Sequence, residues 1–240
     1  MGNDTKVVGV LGGMGPAATV DFMAKVIALT PSRRDQDHVR MLIDHNPMVP
    51  DRQVALLDNG QDPARVIASM ATGLQNNGAD FLVMPCNTAH AYVDAMLDAI
   101  SIPFVSIIGV TVAACSDFES VGLLATAGCL RTSIYQEALA AKNINAVLPS
   151  EPELAELMLL INRIKAGERD AAIPSQMRRL AEAQVNQGAQ AIIAACTEIQ
   201  LVLDESMLDV PLVSSTDVLA AATVSYARGE VLLSGVDHTA

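Results

Sequence analysis

Gly78-Ala79-Asp80-Phe81-Leu82-Val83-Met84-Pro85-Cys86-Asn87-Thr88 and Gly188-Ala189-Gln190-Ala191-Ile192-Ile193-Ala194-Ala195-Cys196-Thr197-Glu198 are two versions of one pattern. In each, a Gly-Ala pair opens an apolar run that reads as a buried strand, and a cysteine follows the glycine by eight residues. Upstream, Val8-Gly9-Val10-Leu11 places Gly9 77 positions before Cys86, and Val121-Gly122-Leu123-Leu124 places Gly122 74 before Cys196. Downstream of each cysteine come a helical stretch and a short strand opened by Ile102-Pro103 or Val210-Pro211. Four coincidences in the same order mark an internal repeat.

Short β-branched runs alternate with helical patterns along the whole chain. The expected strands are Val7 to Leu11, Val39 to Ile43, Phe81 to Met84, Phe104 to Ile108, Val121 to Ala125, Ala146 to Leu148, Ile192 to Ala194 and Leu212 to Val213. Between them, Ala18, Phe22, Val26 and Leu29, and then Val66, Ile67, Met70 and Leu74, fall at helical spacing and read as core stripes. This alternation predicts an α/β fold of two similar domains, each a mostly parallel sheet flanked by helices. With the repeat, it places the domains about a pseudo-two-fold axis, the active site in the cleft between them. The expected division is 1–109 plus 215–240 for the first domain, with a helix over Asp217 to Tyr226 returning to it, and 110–214 for the second.

Composition narrows the function. Of 240 residues, 51% are hydrophobic and 18% charged, which suits a buried core and excludes disorder. A formal net charge of -12, no Trp, three Tyr and four Phe argue against nucleic-acid binding. No apolar run reaches the ~18 residues of a membrane span, and Met1 to Val10 lacks a signal peptide's apolar stretch, so the expected location is cytoplasmic, with no membrane partner. In a reducing cytosol the four cysteines are expected to be free thiols. An acidic substrate would have to meet local cations that overcome the negative field.

Cys86 and Cys196 stand where a strand passes into a helix, in Pro85-Cys86-Asn87-Thr88-Ala89-His90 and Ala195-Cys196-Thr197-Glu198-Ile199. Ligands of open α/β sheets bind outside the carboxyl ends of the strands. A helix start there supplies free N–H groups that favour a thiolate and a bound carboxylate. Asn87, Thr88 and Thr197 add neutral donors. Two acid/base thiols on opposite sides of a carbon are what stereochemical inversion requires: one removes the α-proton and the other delivers a proton to the opposite face. Near-attack poses of ~3 to 3.5 Å to each sulfur put the two roughly 7 Å apart. Cys115 and Cys129 read instead as small buried hydrophobes.

Gly13-Met14-Gly15-Pro16-Ala17-Ala18 fits the dinucleotide-binding form G-x-G-x-x-A, but Asp44, 29 residues after Gly15, is too distant for the acidic partner expected about 20 residues on. It reads as a tight turn whose backbone can approach a small anion. His38, His45, His90 and His238 show no ligand spacing, so no metal site is expected. His90 is a candidate support for the Cys86 turn.

Gly12-Gly13-Met14-Gly15-Pro16, Asn46-Pro47 with Pro50-Asp51-Arg52, Pro85-Cys86-Asn87-Thr88-Ala89-His90 and Cys196-Thr197-Glu198 resemble the aspartate/glutamate racemase family, and within it the aspartate racemase branch. The resemblance covers nearly the whole chain. It implies catalysis with no cofactor, neither pyridoxal phosphate nor metal, and commonly a homodimer. It implies Cys86 and Cys196 as the catalytic pair, Arg52 and Lys165 as the cations for substrate carboxylates, and Met14, Asn87, Thr88, Ala89, Thr126 and Thr197 as further substrate contacts. Ala127, Cys129 and Ala195 depart from the family pattern, which bears on substrate range. The expected substrate is a small acidic amino acid, aspartate first. The alternatives are glutamate, isomerisation or decarboxylation of a small diacid, and non-catalytic binding of a small molecule.

Overall fold

The computed structural model describes residues 5–231; His238 and both ends of the 1–109 plus 215–240 segment lie outside the described residues. The first half runs β1 (Val8–Gly12), α1 (Pro16–Leu29), β2 (Met41–His45), α2 (Arg52–Leu57), α3 (Ala64–Asn76), β3 (Phe81–Val83), α4 (Val93–Leu97) and β4 (Phe104–Val105). After α5 (Ile107–Ala113) come β5 (Ser120–Ala125), α6 (Ala127–Arg131), α7 (Ile134–Ala140), β6 (Asn145–Val147), α8 (Glu151–Lys165), α9 (Ala172–Asn186), β7 (Ala191–Ala195), β8 (Leu212–Ser214) and α10 (Ser215–Ala227). The strands form two four-stranded sheets, β2-β1-β3-β4 and β6-β5-β7-β8, with every pairing parallel. Both sheets have the same strand order, so the sequence repeat is a structural one.

The repeated glycines have two physical tasks. Gly78 and Gly188 follow α3 and α9 with φ of +91° and +101°, the left-handed turn that ends a helix and that residues with a Cβ adopt at a cost. Gly9 and Gly122 sit at the centres of β1 and β5, where a Cβ would lie 2.5 Å from Leu82 and from the Gln184 side chain respectively. At Gly122 the space is taken by Gln184 of the covering helix α9 and by Ile192; at Gly9 it is taken first by Leu82 of the neighbouring strand, with Leu74 of α3 behind. The central strands β1 and β7 are buried at every residue, as parallel strands covered on both faces are.

Several boundaries differ from the sequence reading for identifiable reasons. The run Phe104 to Ile108 is strand only to Val105, because the Ser106 side chain accepts from Gly109 N–H and starts α5 at Ile107. The predicted stripe on α1 buries Ala18, Phe22 and Val26 but leaves Leu29 46% exposed beside the helix end at Thr30. The helices expected directly after the two cysteines are short 3-10 turns, Thr88–Tyr92 and Ile199–Leu201.

The expected helix over Asp217 to Tyr226 is α10, which packs against α1 and α5. Its Leu219, Ala220, Val224 and Ala227 share one buried cluster with Phe22, Val26, Ile107 and Ile108, and with Val121, Leu123 and Ile193 of the second sheet. Among the described residues no helix is long and apolar enough to cross a membrane.

Candidate active site

β3 and β7 are equivalent strands, and the chain leaving each at its carboxyl end brings a cysteine to one shared cavity. Cys86 and Cys196 line it, each all but buried at 7% and 6% exposure. Met14, Asn87, Thr88, Thr126 and Thr197 line it too, as do the two expected cations, Arg52 and Lys165. Ala89 is not among the lining residues: the 3-10 turn carries it into the core of the first half, where it is fully buried. Asp51, Gln53, Ala195 and Glu198 line the cavity without having been singled out as site residues.

Around Cys86 the backbone is held by hydrogen bonds whose direction can be worked out. His90 Nε2 accepts from Ile107 N–H at 3.2 Å, so its proton is on Nδ1, which donates to the Cys86 carbonyl at 2.9 Å. Burial keeps this imidazole neutral, pushing it down to about 4. It therefore supports the Cys86 turn. Ser215 Oγ donates to the Ala194 carbonyl at 2.8 Å, so it must accept from Asn87 Nδ2 at 3.1 Å. Asn87 Oδ1 then accepts from the buried Tyr135 hydroxyl at 2.7 Å. One N–H of Asn87 is left for the cavity it lines.

Cys196 is in a different environment. Its thiol donates to Glu198 Oε2 at 3.1 Å, and burial together with that carboxylate's charge holds it well above the usual thiol range. For Lys165, at the end of α8, burial alone would lower the ammonium. The Glu198 carboxylate, with Cys196 and Cys86 behind it, outweighs burial and raises it. The buried Cys115 and Cys129 are pushed up to about 11 and about 12, chiefly by desolvation, and are poor nucleophiles.

Arg52 is the first residue of α2, whose N-terminus Asp51 caps by accepting from Gln53 and Val54 N–H. Its Nη1 donates to the carbonyls of Val49 and Pro50 at 3.2 and 3.1 Å. Neutral acceptors orient the guanidinium without neutralising it, and among the described residues no carboxylate lies within 4.0 Å of Arg52 or Lys165 in an ion pair. Beside them Gln53 bridges the two halves. Its Nε2 donates to Thr126 Oγ1 at 2.8 Å and Thr88 Oγ1 at 3.3 Å, and its Oε1 accepts from Gly128 N–H at 2.8 Å.

The cavity is contracted, with about 20 Å³ open to the centre of a water-sized sphere, room for about one water. A wider recess lies against it, lined partly by Pro16, Val49 and Leu201, and shares Asp51, Arg52, Lys165 and Glu198 with it. Those four side chains therefore border both spaces. No cluster of three His, Cys, Asp or Glu able to hold a metal ion is found among the described residues.

Comparison with known proteins follows the same lines. The Asp/Glu/hydantoin racemase family model matches residues 11–223. The chain is 30% identical over 226 residues to the broad specificity amino-acid racemase RacX of Bacillus subtilis, covering 91% of this chain and 97% of that one. It is similar to the solved aspartate racemase of Picrophilus torridus, with 32% identity, a TM-score of 0.80 and coverage of 92% and 94%. The glutamate racemase RacE1 of Bacillus anthracis, at 20% identity and a TM-score of 0.67 over 96% and 84% of the chains, shares the fold. A family match over most of the chain, with relatives of this identity along nearly its full length, shows that the protein belongs to the Asp/Glu/hydantoin racemase family and is an isomerase.

Proposed function

We propose that the protein racemises a small acidic amino acid, aspartate first, by a two-base mechanism in which Cys86 and Cys196 exchange the roles of thiolate and thiol. The observation that carries this reading is the cavity itself, where two equivalent cysteines from the two halves meet two cations that form no ion pair with a carboxylate among the described residues. Arg52 offers a bidentate fork to one substrate carboxylate and Lys165 a point charge to the other. Cys86 as thiolate takes the α-proton, negative charge spreads onto the adjacent carboxylate, and the Asn87 N–H and Thr88 hydroxyl donate to it. Cys196 delivers its proton to the opposite face.

That turnover leaves Cys86 protonated and Cys196 as a thiolate beside Glu198. Repulsion from Glu198 favours the return of the proton to Cys196, while Lys165 makes the transient thiolate tolerable. The same reading assigns 1–109 plus 215–240 and 110–214 as the two domains, supported over the described residues by the packing of α10 on α1, with the boundary falling within α5. It also takes the protein to be a cytoplasmic homodimer that works without a cofactor; sedimentation tests the dimer.

The name of the Bacillus subtilis relative supports a second reading, a racemase of wider substrate range. The deciding experiment incubates the purified protein with L-aspartate in deuterated water, without additions, and follows optical rotation and α-carbon deuterium. Rotation decaying to zero with deuterium gain is expected, and Cys86→Ala or Cys196→Ala is expected to abolish both. Full activity in either variant defeats the two-thiol mechanism; racemisation of glutamate or neutral amino acids at comparable rates moves the substrate to the second reading.

A further inference from the structure

Gln53 is half-buried, carries no charge and cannot act as an acid or a base, yet it saturates its hydrogen bonds on the two hydroxyls at the wall of the cavity. The direction of every proton in this cluster can be worked out. Gly128 N–H can only donate, so the amide atom facing it is Oε1, and Nε2 with its two hydrogens faces Thr126 and Thr88. Thr126 Oγ1 also accepts from Cys129 N–H at 3.3 Å, which fills both of its acceptor sites. Its own hydrogen must therefore go to Thr88 Oγ1, 2.9 Å away.

Thr88 then accepts from Thr126 and from Gln53, and its remaining hydrogen has no acceptor among the described residues. The hydroxyl faces the cavity as a donor only. Gly128 is matched to this arrangement: a Cβ there would lie 2.8 Å from Gln53 Oε1 and 3.0 Å from Nε2, so the amide lies in the space a side chain would fill.

We propose that Gln53 is a positioning residue for the anionic substrate: by donating to Thr88 and Thr126 while accepting from Gly128, it forces the Thr88 hydroxyl to present its hydrogen to a carboxylate. This rests on the acidic-substrate reading above. In Gln53→Glu the ionised side chain accepts from both hydroxyls, which turns the Thr88 hydrogen away from the cavity and adds a negative charge to its wall. When protonated, the new carboxyl has one donor and one acceptor and restores part of the amide's pattern. Gln53→Met fills the space with neither donor nor acceptor and no titration.

The test measures KM and kcat for L-aspartate in wild type, Gln53→Glu and Gln53→Met between pH 4.5 and 7.5, with unfolding midpoints as a control. For Gln53→Glu at pH 7.5 we expect KM to rise about ten- to hundredfold over wild type, the range for losing a hydrogen bond to a charged group. The rise should exceed that of Gln53→Met and shrink towards it as pH falls, and kcat should fall with it, because the Thr88 hydroxyl also donates to the carboxylate on which charge develops. Charge on the wall alone would raise KM in Gln53→Glu to the same extent when Thr88 is also replaced by Val, whereas loss of the Thr88 donor would not. A pH-dependent excess that persists undiminished in the Thr88→Val background, or the same KM ratio in both variants at every pH, overturns the proposal.

If wild type turns over neither aspartate nor glutamate, the substrate reading fails, and the same three proteins are compared by their Kd for malonate over the same pH range. A pH-dependent excess weakening in Gln53→Glu that shrinks when Thr88 is also replaced by Val sustains the proposal. Equal weakening in both variants, or no malonate binding by wild type, overturns it.

Discussion

Replacing Glu198 with Gln isolates the feature that makes the two cysteines unequal. The carboxylate oxygen accepts from the Cys196 thiol at 3.1 Å, and both groups are buried. Were the sulfur to ionise, two negative charges at that separation would repel by about 5 kcal/mol at an effective dielectric near 20. Lys165 cancels part of this, since it is drawn to both groups. If a third of the repulsion survives, about 1.7 kcal/mol, Glu198 suppresses the Cys196 thiolate by roughly 15- to 20-fold, since about 1.4 kcal/mol is a factor of ten. The glutamine amide removes the charge and can donate to the thiolate instead.

Burial and the Glu198 charge both hold the Cys196 thiol high, so removing the charge moves its titration to lower pH and increases the thiolate at pH 7. The assay is the iodoacetamide alkylation rate of Cys196, read by peptide mass in a Cys86→Ala background. Cys115 and Cys129 serve as internal controls, being buried and pushed up to about 11 and about 12. Glu198→Gln should react at least about tenfold faster at pH 7, with its pH profile displaced downwards. An unchanged profile would refute the claim that Glu198 holds the proton on Cys196.

Two further outcomes follow from the buried partners of the Cys86 turn. His90 is held neutral down to about 4, against an unfolded value near 6.5, so the unfolded chain binds the extra proton between those values and stability falls as pH drops from about 6.5 to 4. The full effect is about 3 kcal/mol, and urea unfolding at pH 7 and pH 5 should show a smaller pH loss for His90→Gln than for wild type. Tyr135→Phe removes the donor to Asn87 Oδ1 and leaves that oxygen buried and unpaired. It should cost about 1 to 3 kcal/mol in urea unfolding, and with Asn87 free to turn, kcat/KM should fall by about tenfold.

The fold was legible because its repeated devices are written in residue types that the backbone requires. A glycine ends α3 and α9 in a left-handed turn, another clears space within a strand, and a cysteine follows the third strand of each sheet. Strand ends were less legible because one side chain decides them, as Ser106 does in turning Ile107 from strand to helix. Most of the expected site residues gather at the cavity. Ala89 does not, because the 3-10 turn after Cys86 has a different pitch from the helix assumed there. Glu198 was visible two residues after Cys196, but a carboxylate beside a thiol is recognisable as a partner only once the turn brings the two together. Gln53 had no comparable signal in its own neighbourhood. Its meaning depends on the absence of a side chain at Gly128, 75 residues away.

The placement of α10 bears on how the molecule is made. The cluster that buries Phe22 and Val26 of α1 is completed by Leu219, Ala220, Val224 and Ala227, nearly two hundred residues later. Elongation at roughly 5 to 20 residues per second leaves the α1 face uncovered for on the order of ten seconds on the ribosome. The sheet β6-β5-β7-β8 has no such wait for its outer cluster, which draws on residues from Leu124 to Leu212. The half synthesised first is as prompt on its own outer face, whose cluster runs from Leu11 to Phe104, so what waits for α10 is the inner face that the two sheets share. A nascent chain stalled before residue 215 should present that uncovered apolar surface to chaperones.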